Sequence, residues 1–391
     1  MVRCNIIGIS DSRKQWFHPE VMDIIASGRV FSGGIRHHEI MCNMLPKGAV
    51  WIDITVPLSD VFRQYEEYNE VVIFASGDPL FYGFASTVRR ECPNAVIKVF
   101  PFFNSIQMLA HRMNIAYQDI RNVSLTGRQW DKFDETLIKG EELIGCLTDK
   151  NKTPHAIMQR MREYGYDHYK MTVGECLGNK EKERVSEYDE NTVYANPNCI
   201  ILQMTGNKQR TSRFGIPESE FHLFNGRAKM ITKMPIRLIT LSMLDLNEKQ
   251  TFWDVGFCTG SVSIEAKLHF PHLNITAFEI RKEGRELMAL NSRKFGTPGI
   301  NTVIGDFLDT DLSLYPAPDA VFIGGHGGRL EEMINKIHTV MHTGGCIVFN
   351  SVSEESRQIF IHSVENVGMS LIASTRIVID NNNPINILKA Q

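Results

Sequence analysis

Asp254-Val-Gly-Phe-Cys-Thr-Gly260 decides the fold of the C-terminal half of this 391-residue chain. An apolar run at residues 251–255 leads into it, and a helical pattern opens near Ser261 directly after it. This order predicts a strand, a glycine turn and a helix. Because a helix N-terminus offers unpaired N–H groups and glycine lets a ligand approach the backbone closely, we expect a ligand site at this turn.

Further strand patterns follow the turn and alternate with helices. We expect a helix at 233–244 before the turn, strands at 274–280, 301–305, 320–324 and 346–350 after it, and a closing hairpin formed by residues 369–380 and 385–390. Strands separated by crossover helices predict a mostly parallel, doubly wound α/β sheet.

The N-terminal half also alternates short β-branched runs with a helical pattern. The strands are expected at 71–75, 96–100 and 199–202, and the helix at 154–164. This predicts a second layered α/β domain. A polar, basic segment at 206–214 predicts a linker, so we expect domains at 1–205 and 215–391. A chain of this length exceeds the size of a single core.

Composition narrows the possible partners and the compartment. A net charge of -3 and a hydrophobic fraction of 43% give no field for nucleic acid or a membrane surface. The sequence has no apolar stretch long enough to span a bilayer and no signal-peptide pattern, so we expect a cytosolic protein. Its eight scattered cysteines contain no Cys-x-x-Cys pair, which predicts reduced thiols and no metal site.

Two acids extend the predicted ligand site. Glu279 ends the second strand roughly 20 residues after the turn, the spacing at which a carboxylate accepts hydrogen bonds from both ribose hydroxyls. Asp306 ends the third strand, where it could accept from an adenine amino group, although a plain turn aspartate is the alternative. The Gly-x-x-x-Gly spacing differs from the dinucleotide fingerprint and favours an adenosyl group without phosphates.

A second glycine-rich run, Phe322-Ile-Gly-Gly-His-Gly-Gly328, follows the fourth strand. So many glycines, among them Gly324 and Gly325, indicate that another group approaches the backbone closely. His326 within the run is a candidate base or substrate donor, and a solvated loop histidine is the alternative. A nucleic-acid methyltransferase would have Asn/Asp-Pro-Pro-Tyr here, and a dehydrogenase would need a third glycine in the first turn.

Residues 254–265, with Met230-Ile-Thr-Lys233 upstream and the second glycine run downstream, resemble the precorrin and cobalt-precorrin methyltransferases that act at carbon 15 and decarboxylate. Gly215-Ile-Pro-Glu-Ser-Glu-Phe221 is similar to that family's opening segment, so the resemblance covers 215–391. It implies a class I, Rossmann-like domain that binds S-adenosylmethionine. Cys258 stands where many such enzymes have glycine, and its side chain is small enough to admit the donor. The implied donor contacts are Thr232, Asp254, Gly256, Phe257, Cys258, Thr259, Gly260, Glu279, Gly305, Asp306 and Phe307.

In the N-terminal half, Ala75-Ser-Gly-Asp-Pro-Leu-Phe-Tyr-Gly83 resembles the donor loop of the tetrapyrrole methylase family, whose members bind S-adenosylmethionine between two α/β subdomains. Gly33-Gly-Ile-Arg-His37 and Ser124-Leu-Thr-Gly-Arg128 are similar to the subgroup that methylates carbon 5. The resemblance implies donor contacts from Gly8, Gly77, Asp78, Pro79, Phe81 and Thr148, and substrate contacts from Arg36, His37 and Arg128.

Two departures from that family keep an alternative open for the N-terminal half. Gly8-Ile-Ser-Asp-Ser-Arg13 has one glycine where relatives have several, and Thr126 stands where a histidine is common. The half is therefore either a second methyltransferase or a scaffold that binds no donor. His37 and His38 adjoin each other and cannot both face one metal from a regular element, so we interpret them as loop or substrate contacts.

The two halves in this order resemble fused enzymes that methylate a corrin precursor at carbons 5 and 15 and decarboxylate an acetate side chain of ring C. Such a substrate carries many carboxylates, so its site should hold cationic donors. We expect Lys229, Lys233 and Arg237 to bind it, since they flank Thr232, together with the loop of Gly324, Gly325 and His326. His326, Lys233 and Arg237 are also the catalytic candidates. We further expect a homo-oligomer without nucleic-acid or membrane partners.

Overall fold

A computed structural model of the chain describes residues 2–206, 214–226, 230–379 and 383–391. The chain divides into two compact units. The first comprises residues 1–128, 141–158 and 169–205, and the second comprises 129–140, 159–168 and 206–391. Residues 207–213 of the predicted linker lie outside the described part of the chain. The domain boundaries at 205 and 215 therefore stay predictions.

The first sheet of the first unit contains five parallel strands in the order β3-β2-β4-β1-β5. The strands are β1 (Arg3–Ile9), β2 (Val30–Gly33), β3 (Val50–Asp53), β4 (Glu70–Ser76) and β5 (Val96–Phe100). The helices are α1 (Pro19–Ser27), α2 (Ile35–Met41), α3 (Leu58–Glu66), α4 (Phe84–Glu91) and α5 (Ser105–Met113). The predicted strands at 71–75 and 96–100 are confirmed. Residues 71–75 of β4 are all buried, as expected for a parallel sheet covered on both faces.

The second sheet is mixed, with strand order β6-β7-β10-β8-β9. Its strands are β6 (Arg121–Ser124), β7 (Leu143–Leu147), β8 (Tyr169–Glu175), β9 (Arg184–Glu187) and β10 (Asn198–Met204), and its region of the chain contains α6 (Asp131–Lys139) and α7 (Pro154–Glu163). β6 pairs parallel with β7, and the other pairs are antiparallel. Two sheets in this half confirm the expected two-subdomain α/β fold.

The second unit contains a seven-stranded sheet with the order β13-β12-β11-β14-β15-β17-β16. The strands are β11 (Thr251–Val255), β12 (Asn274–Glu279), β13 (Ile300–Ile304), β14 (Ala320–Ile323), β15 (Cys346–Ser351), β16 (Leu371–Ile377) and β17 (Ile385–Ala390). The helices are α8 (Met234–Leu244), α9 (Ser261–His269), α10 (Gly284–Phe295), α11 (Leu330–His338) and α12 (Glu354–Asn366). β11 to β15 pair in parallel, whereas β16 and β17 form the expected antiparallel hairpin.

The strand order of this sheet fixes where a ligand can bind. The chain leaves β11 toward β12 on one side and later returns to β14 on the other side, so the order reverses at β11. In an open α/β sheet the crevice beyond the carboxyl end of such a strand is the ligand site. The turn at 256–260 lies there, and the doubly wound Rossmann-like sheet is confirmed. Among the described residues, no helix combines the length and the apolar character needed to cross a bilayer.

Gly8 in β1 illustrates how tightly two loops pack at the carboxyl edge of the first sheet. A Cβ atom added to Gly8 would lie 2.0 Å from the carbonyl oxygen of Gly77 and 2.7 Å from the backbone nitrogen of Phe102. Backbone atoms cannot move aside as a flexible side chain can. The glycine at position 8 is therefore required by the fold itself, whatever ligand the loops hold.

We predict that Gly8→Ala lowers the free energy of unfolding of the first unit by about 3 kcal/mol or more, because the added methyl group overlaps backbone atoms. Gly34→Ala is the matched control, since a Cβ at position 34 would find its nearest atom 3.9 Å away. Urea denaturation followed by circular dichroism measures both variants. Equal unfolding midpoints for the two variants would contradict the prediction, since they would show that the loops holding Gly77 and Phe102 can move away from position 8 with no loss of stability.

Candidate functional site

A cavity of about 760 Å³ opens at the carboxyl end of the sheet in the second unit. Its volume lies in the range of small-molecule and cofactor sites. The loops after β11, β12, β13 and β14 all contribute to its lining. Among the predicted site residues, those that line it are Thr232, Lys233, Gly256, Cys258, Glu279, Gly305, Asp306, Phe307, Gly324, Gly325 and His326.

The loop after β11 touches the loop after β14 through backbone atoms. A Cβ on Gly256 would lie 2.7 Å from the backbone nitrogen of Gly325, and Gly256 has φ +76°, a conformation that favours glycine. The two glycine-rich runs therefore pack directly against each other, and a side chain at position 256 would separate them. Their contact brings the first turn and the loop of His326 to one end of the cavity.

Glu279 is held rigidly at the edge of this cavity. The backbone N–H of Cys258 donates to Glu279 Oε2 at 2.9 Å, and the backbone N–H of Arg281 donates to Oε1 at 3.1 Å. Each carboxylate oxygen can accept a second hydrogen bond. The carboxylate thus keeps the capacity to accept from two neighbouring hydroxyl groups of a ligand.

Asp254 lies beneath the loop rather than in the cavity. Its Oδ2 accepts from the backbone N–H and the hydroxyl of Ser263, at 3.2 and 2.6 Å, which ties β11 to the first turn of α9. Asp254 Oδ1 and Thr259 Oγ1 are buried and have no hydrogen-bond partner among the described residues. Burial raises the pKa of Asp254 to about 7.

The structure corrects the expectation that the whole turn faces the donor. Asp254, Phe257, Thr259 and Gly260 are absent from the cavity lining, whereas Gly256 and Cys258 belong to it. The reason is geometric. The turn alternates its side chains between the cavity and the core, and Phe257 packs into a buried cluster with Ile264 and Met288.

Asp306 is paired with a cation that the sequence motifs did not reveal. The carboxylate accepts from the backbone N–H of Leu308 at 2.9 Å and forms an ion pair with Arg329 Nη1 at 2.9 Å. Arg329 and Arg281 both line the cavity. Arg281 lies two residues after Glu279, and Arg329 directly follows the second glycine-rich run. Their nearness to predicted site residues is the sequence signal that could have identified them.

His326 has a fixed ring orientation in the glycine loop. The backbone N–H of Gly328 donates to its Nδ1 at 3.2 Å, and the ring packs edge-to-face against Phe349 with centroids 5.7 Å apart. Burial lowers the pKa of His326 below its usual value, so the imidazole is neutral at physiological pH. A neutral imidazole with Nδ1 accepting presents Nε2–H as its free donor.

Arg237, predicted to contact substrate or take part in catalysis, does neither. Its side chain is 0% exposed and pairs with Glu265, also 0% exposed. It further donates to the carbonyl oxygens of Ile216 and of Thr232, the latter at 2.7 Å. The prediction was wrong because the basic spacing along α8 does not reveal which cations face inward. Lys233 lines the cavity, and Lys229 lies outside the described residues.

The remaining lining is largely apolar. It comes from the segment before α8, from α8 and α11, from the end of β15 with the loop after it, and from the terminal hairpin. It includes Met230, Ile231, Ile236, Met333, Val352, Ile377, Ile379 and Ile385 beside Asn350 and Asn383. A cavity with anchored acids, cations and an extended apolar wall suits a ligand that is itself part apolar and part charged.

In the first unit, predicted residues meet at the carboxyl edge of the parallel sheet. Gly8 and Gly77 are in backbone contact, and Arg36 and His37 both reach the hydroxyl of Ser76, which the sequence reasoning missed. Asp78 Oδ1 caps its own loop by accepting from the backbone N–H of Leu80 at 2.9 Å.

The other predicted residues of this unit have structural partners. Phe81 packs against a buried cluster of the second sheet, and Pro79 is buried. Thr148 donates to the carbonyl oxygen of Asn198 at 2.6 Å, and the guanidinium of Arg128 lies 5.4 Å from the ring centroid of Tyr82. Within the described residues, no group of three or more His, Cys, Asp or Glu side chains is arranged to hold a metal ion.

Comparison with known proteins finds one matching family model and several relatives. The model described as a precorrin methyltransferase domain matches residues 222–390. A curated protein of Sinorhizobium sp, named precorrin-6Y C(5,15)-methyltransferase [decarboxylating], is 29% identical over 94% of this chain and 89% of its own length. A cobalt-precorrin-6B C(15)-methyltransferase (decarboxylating) of Salmonella typhimurium is 33% identical over 35% of this chain and 70% of its own length.

Solved structures with similarity to parts of the chain bear related names. A precorrin-6Y C5,15-methyltransferase of Geobacter metallireducens is 31% identical, with a TM-score of 0.42, over 47% of this chain and 99% of that one. A precorrin-6Y methylase of Archaeoglobus fulgidus is 19% identical, with a TM-score of 0.42, over 52% of this chain and 97% of that one.

We predict that Arg237→Met lowers the free energy of unfolding of the second unit by about 3–5 kcal/mol, because it leaves the Glu265 carboxylate buried without its cation. Arg285→Met, on the exposed face of α10, is the control and should change stability by less than about 0.5 kcal/mol. Guanidinium denaturation measures both. An Arg237→Met protein as stable as the control would contradict the structural assignment of this arginine.

Proposed function

This chain belongs to the precorrin methyltransferase family, and from that premise we propose that it is a bifunctional S-adenosylmethionine-dependent methyltransferase of corrin biosynthesis. It methylates precorrin-6Y or its cobalt form at carbons 5 and 15 and decarboxylates the acetate side chain of ring C. The observation that carries the proposal is the cavity beyond the carboxyl end of β11, where the strand order reverses, with Glu279 anchored at its edge. The Sinorhizobium relative, which aligns with 94% of the chain, is named for both positions.

The two activities are assigned to the two halves of the sequence. Residues 215–391 carry methylation at carbon 15 and the decarboxylation, in line with the family model at 222–390 and with the shorter Salmonella relative, which is named for carbon 15 alone. Residues 1–205 carry methylation at carbon 5, and 206–214 link them. The alternative of an inactive N-terminal scaffold predicts a single methyl transfer.

The residues of the second unit fit S-adenosylmethionine. Glu279 accepts from the ribose hydroxyls, Asp306 and Phe307 border the adenine, and the backbone at Gly256 and Cys258 borders the rest of the donor. Asp254 Oδ1 and Thr259 Oγ1, which are buried without partners among the described residues, belong to β11 and to this loop, respectively, and leave polar capacity for a bound water beneath the donor. When bound, the donor supplies an electrophilic methyl group on a sulfonium.

The protein contributes chiefly by positioning its substrate and excluding water. Lys233, Arg281 and Arg329 line the cavity and bind carboxylates of the tetrapyrrole, while the apolar wall covers the faces of its rings. The reacting ring carbon is an enamine-like nucleophile, so no protein nucleophile is required.

Decarboxylation needs an electron acceptor and a proton. The bond to the carboxyl carbon breaks, its electron pair passes into the conjugated ring system at a protonated nitrogen, and carbon dioxide leaves. The side-chain carbon then takes up a proton. His326, neutral and with Nε2–H available, is our candidate for moving that proton.

We also propose a cytoplasmic location and a tetrapyrrole substrate, without nucleic-acid or membrane partners. The cysteines recorded in the structure are unpaired, which fits a reducing compartment. Assembly into a homo-oligomer stays a prediction.

Mass spectrometry of the product tests the proposal directly. With precorrin-6Y and excess S-adenosylmethionine, the full chain should yield a product with two added methyl groups and one carbon dioxide lost. Glu279→Ala should yield one added methyl group and keep the carboxyl group, because only the donor site of the second unit is damaged. Glu283→Ala, exposed on the same loop, is the control. An unchanged substrate mass with wild type, or full conversion by Glu279→Ala, would contradict the assignment.

The raised pKa of Asp254 gives the donor site a defined pH dependence. With a pKa of about 7, Asp254 is largely protonated at pH 6 and ionised at pH 8. A cationic ligand over the loop favours the ionised form, so binding at low pH must first remove this proton. We predict that the affinity of the second unit for S-adenosylmethionine is roughly tenfold weaker at pH 6 than at pH 8.

Asp254→Asn keeps an oxygen that accepts from Ser263 but has no titrating proton. Calorimetry at the two pH values should therefore show that the variant loses this tenfold difference. The same pH dependence in wild type and variant would assign it to another group.

A further inference from the structure

Two side chains from the start of α2 converge on the hydroxyl of Ser76, the last residue of β4. Arg36 Nη2 lies 2.8 Å from Ser76 Oγ, and His37 Nε2 lies 2.9 Å from it. α2 follows β2, and β2 pairs parallel with β4, so both strands deliver these residues to the same carboxyl edge of the sheet. Ser76 itself is exposed.

The proton positions around Ser76 follow from the hydrogen bonds. The backbone N–H of Gly34 donates to His37 Nδ1 at 3.2 Å, so Nδ1 carries no proton. The proton of the neutral ring is therefore on Nε2, which donates to Ser76 Oγ. Burial and the nearby Arg36 charge lower the pKa of His37 to about 4, in agreement with a neutral ring.

The hydroxyl of Ser76 can consequently act only as a hydrogen-bond donor toward a ligand. A serine oxygen has two lone pairs, and here one accepts from His37 and the other from Arg36, since a guanidinium can only donate. The hydroxyl hydrogen has no recorded acceptor among the described residues. It is exposed at the edge of the sheet and can only donate, so it offers a donor to water or to a ligand that binds there.

The charges around this hydroxyl favour an anionic acceptor that the Arg36 guanidinium can share. Arg36 Nη1 pairs with Asp11 at 3.4 Å, and Asp11 in turn accepts from Asn179 Nδ2 at 3.3 Å. This pair orients the guanidinium, whose side chain stays 40% exposed. A carboxylate, with two oxygens, can accept from the Ser76 hydroxyl and from a remaining guanidinium N–H at once.

We propose that Ser76 and Arg36 form a carboxylate-binding subsite for methylation at carbon 5, with His37 as a positioning residue that holds Ser76 as a donor. This subsite rests on the proposed function. Its carboxylate belongs either to a side chain of the tetrapyrrole or to the methionine part of S-adenosylmethionine, and both present the same chemistry to the hydroxyl.

The test uses the full chain with precorrin-6Y, so methylation at carbon 15 and decarboxylation report in the same reaction that the protein is folded and active. Ser76→Ala should weaken ligand binding for the carbon 5 step roughly 10- to 100-fold, the cost of one hydrogen bond to a charged group. Ser76→Thr retains the hydroxyl and should rescue it. Ser27→Ala, an exposed serine on α1 that bonds to its own helix, is the control.

The kinetic constants identify the source of the carboxylate. If Ser76→Ala raises the KM for precorrin-6Y in the carbon 5 step and leaves the dissociation constant of S-adenosylmethionine at the first unit unchanged, the carboxylate belongs to the substrate. If the dissociation constant rises and the KM is unchanged, the carboxylate belongs to the donor. His37→Leu should cause a smaller loss in the same constant than Ser76→Ala, because the hydroxyl remains but is no longer held as a donor, and the double variant should be no worse than Ser76→Ala. Additive losses would contradict the positioning role.

Two failures are distinguishable. If wild type methylates carbon 5 and Ser76→Ala does so with unchanged constants, the subsite is wrong while the proposed function stands. If wild type transfers no methyl group to carbon 5, the assignment of that function to the first unit fails and the subsite with it.

Discussion

Backbone-to-backbone contact between neighbouring loops is the constraint on which both candidate sites depend. In the first unit the ends of the adjacent strands β1 and β4 bring Gly8 against Gly77, where a Cβ would lie 2.0 Å from a carbonyl oxygen. In the second unit the adjacent strands β11 and β14 bring Gly256 against Gly325, where a Cβ would lie 2.7 Å from a nitrogen. Parallel strands deliver their loops to one edge, and glycine lets those loops meet. The functional side chains are then placed around each contact.

Around these contacts, both units fix polar groups by pairing them with the backbone. Two backbone N–H groups hold Glu279, and one backbone N–H sets the orientation of His326. In the first unit a backbone N–H sets the proton position of His37, which in turn sets that of Ser76. Groups organised in this way need little rearrangement when a ligand arrives, which suits reactions whose barrier is lowered mainly by positioning.

The sequence predicted the elements of the second unit well because each strand there is a short apolar run bounded by turn signals. It also located the cavity, since a glycine turn after the first strand of a doubly wound sheet has one topological position. It could not tell which members of the turn face inward, and so it assigned Asp254 and Phe257 to the cavity lining. Arg237 was wrongly predicted to face the cavity for the same reason, because the charge pattern of α8 does not show that its partner Glu265 is buried in the core. Arg329 was missed although it directly follows the second glycine run, because its pairing with Asp306 is not visible in the sequence. Ser76 was missed because its partners, Arg36 and His37, are distant from it in sequence.

The central claim is that one chain holds two methyl-donor sites, one in each unit. Titration calorimetry of the full chain with S-adenosylmethionine tests it most directly, because stoichiometry does not depend on having the tetrapyrrole. Two sites predict two bound donors per chain, falling to one when Glu279 is replaced by alanine. A stoichiometry of one in wild type, falling to zero in that variant, would contradict the claim and leave the first unit without a donor site.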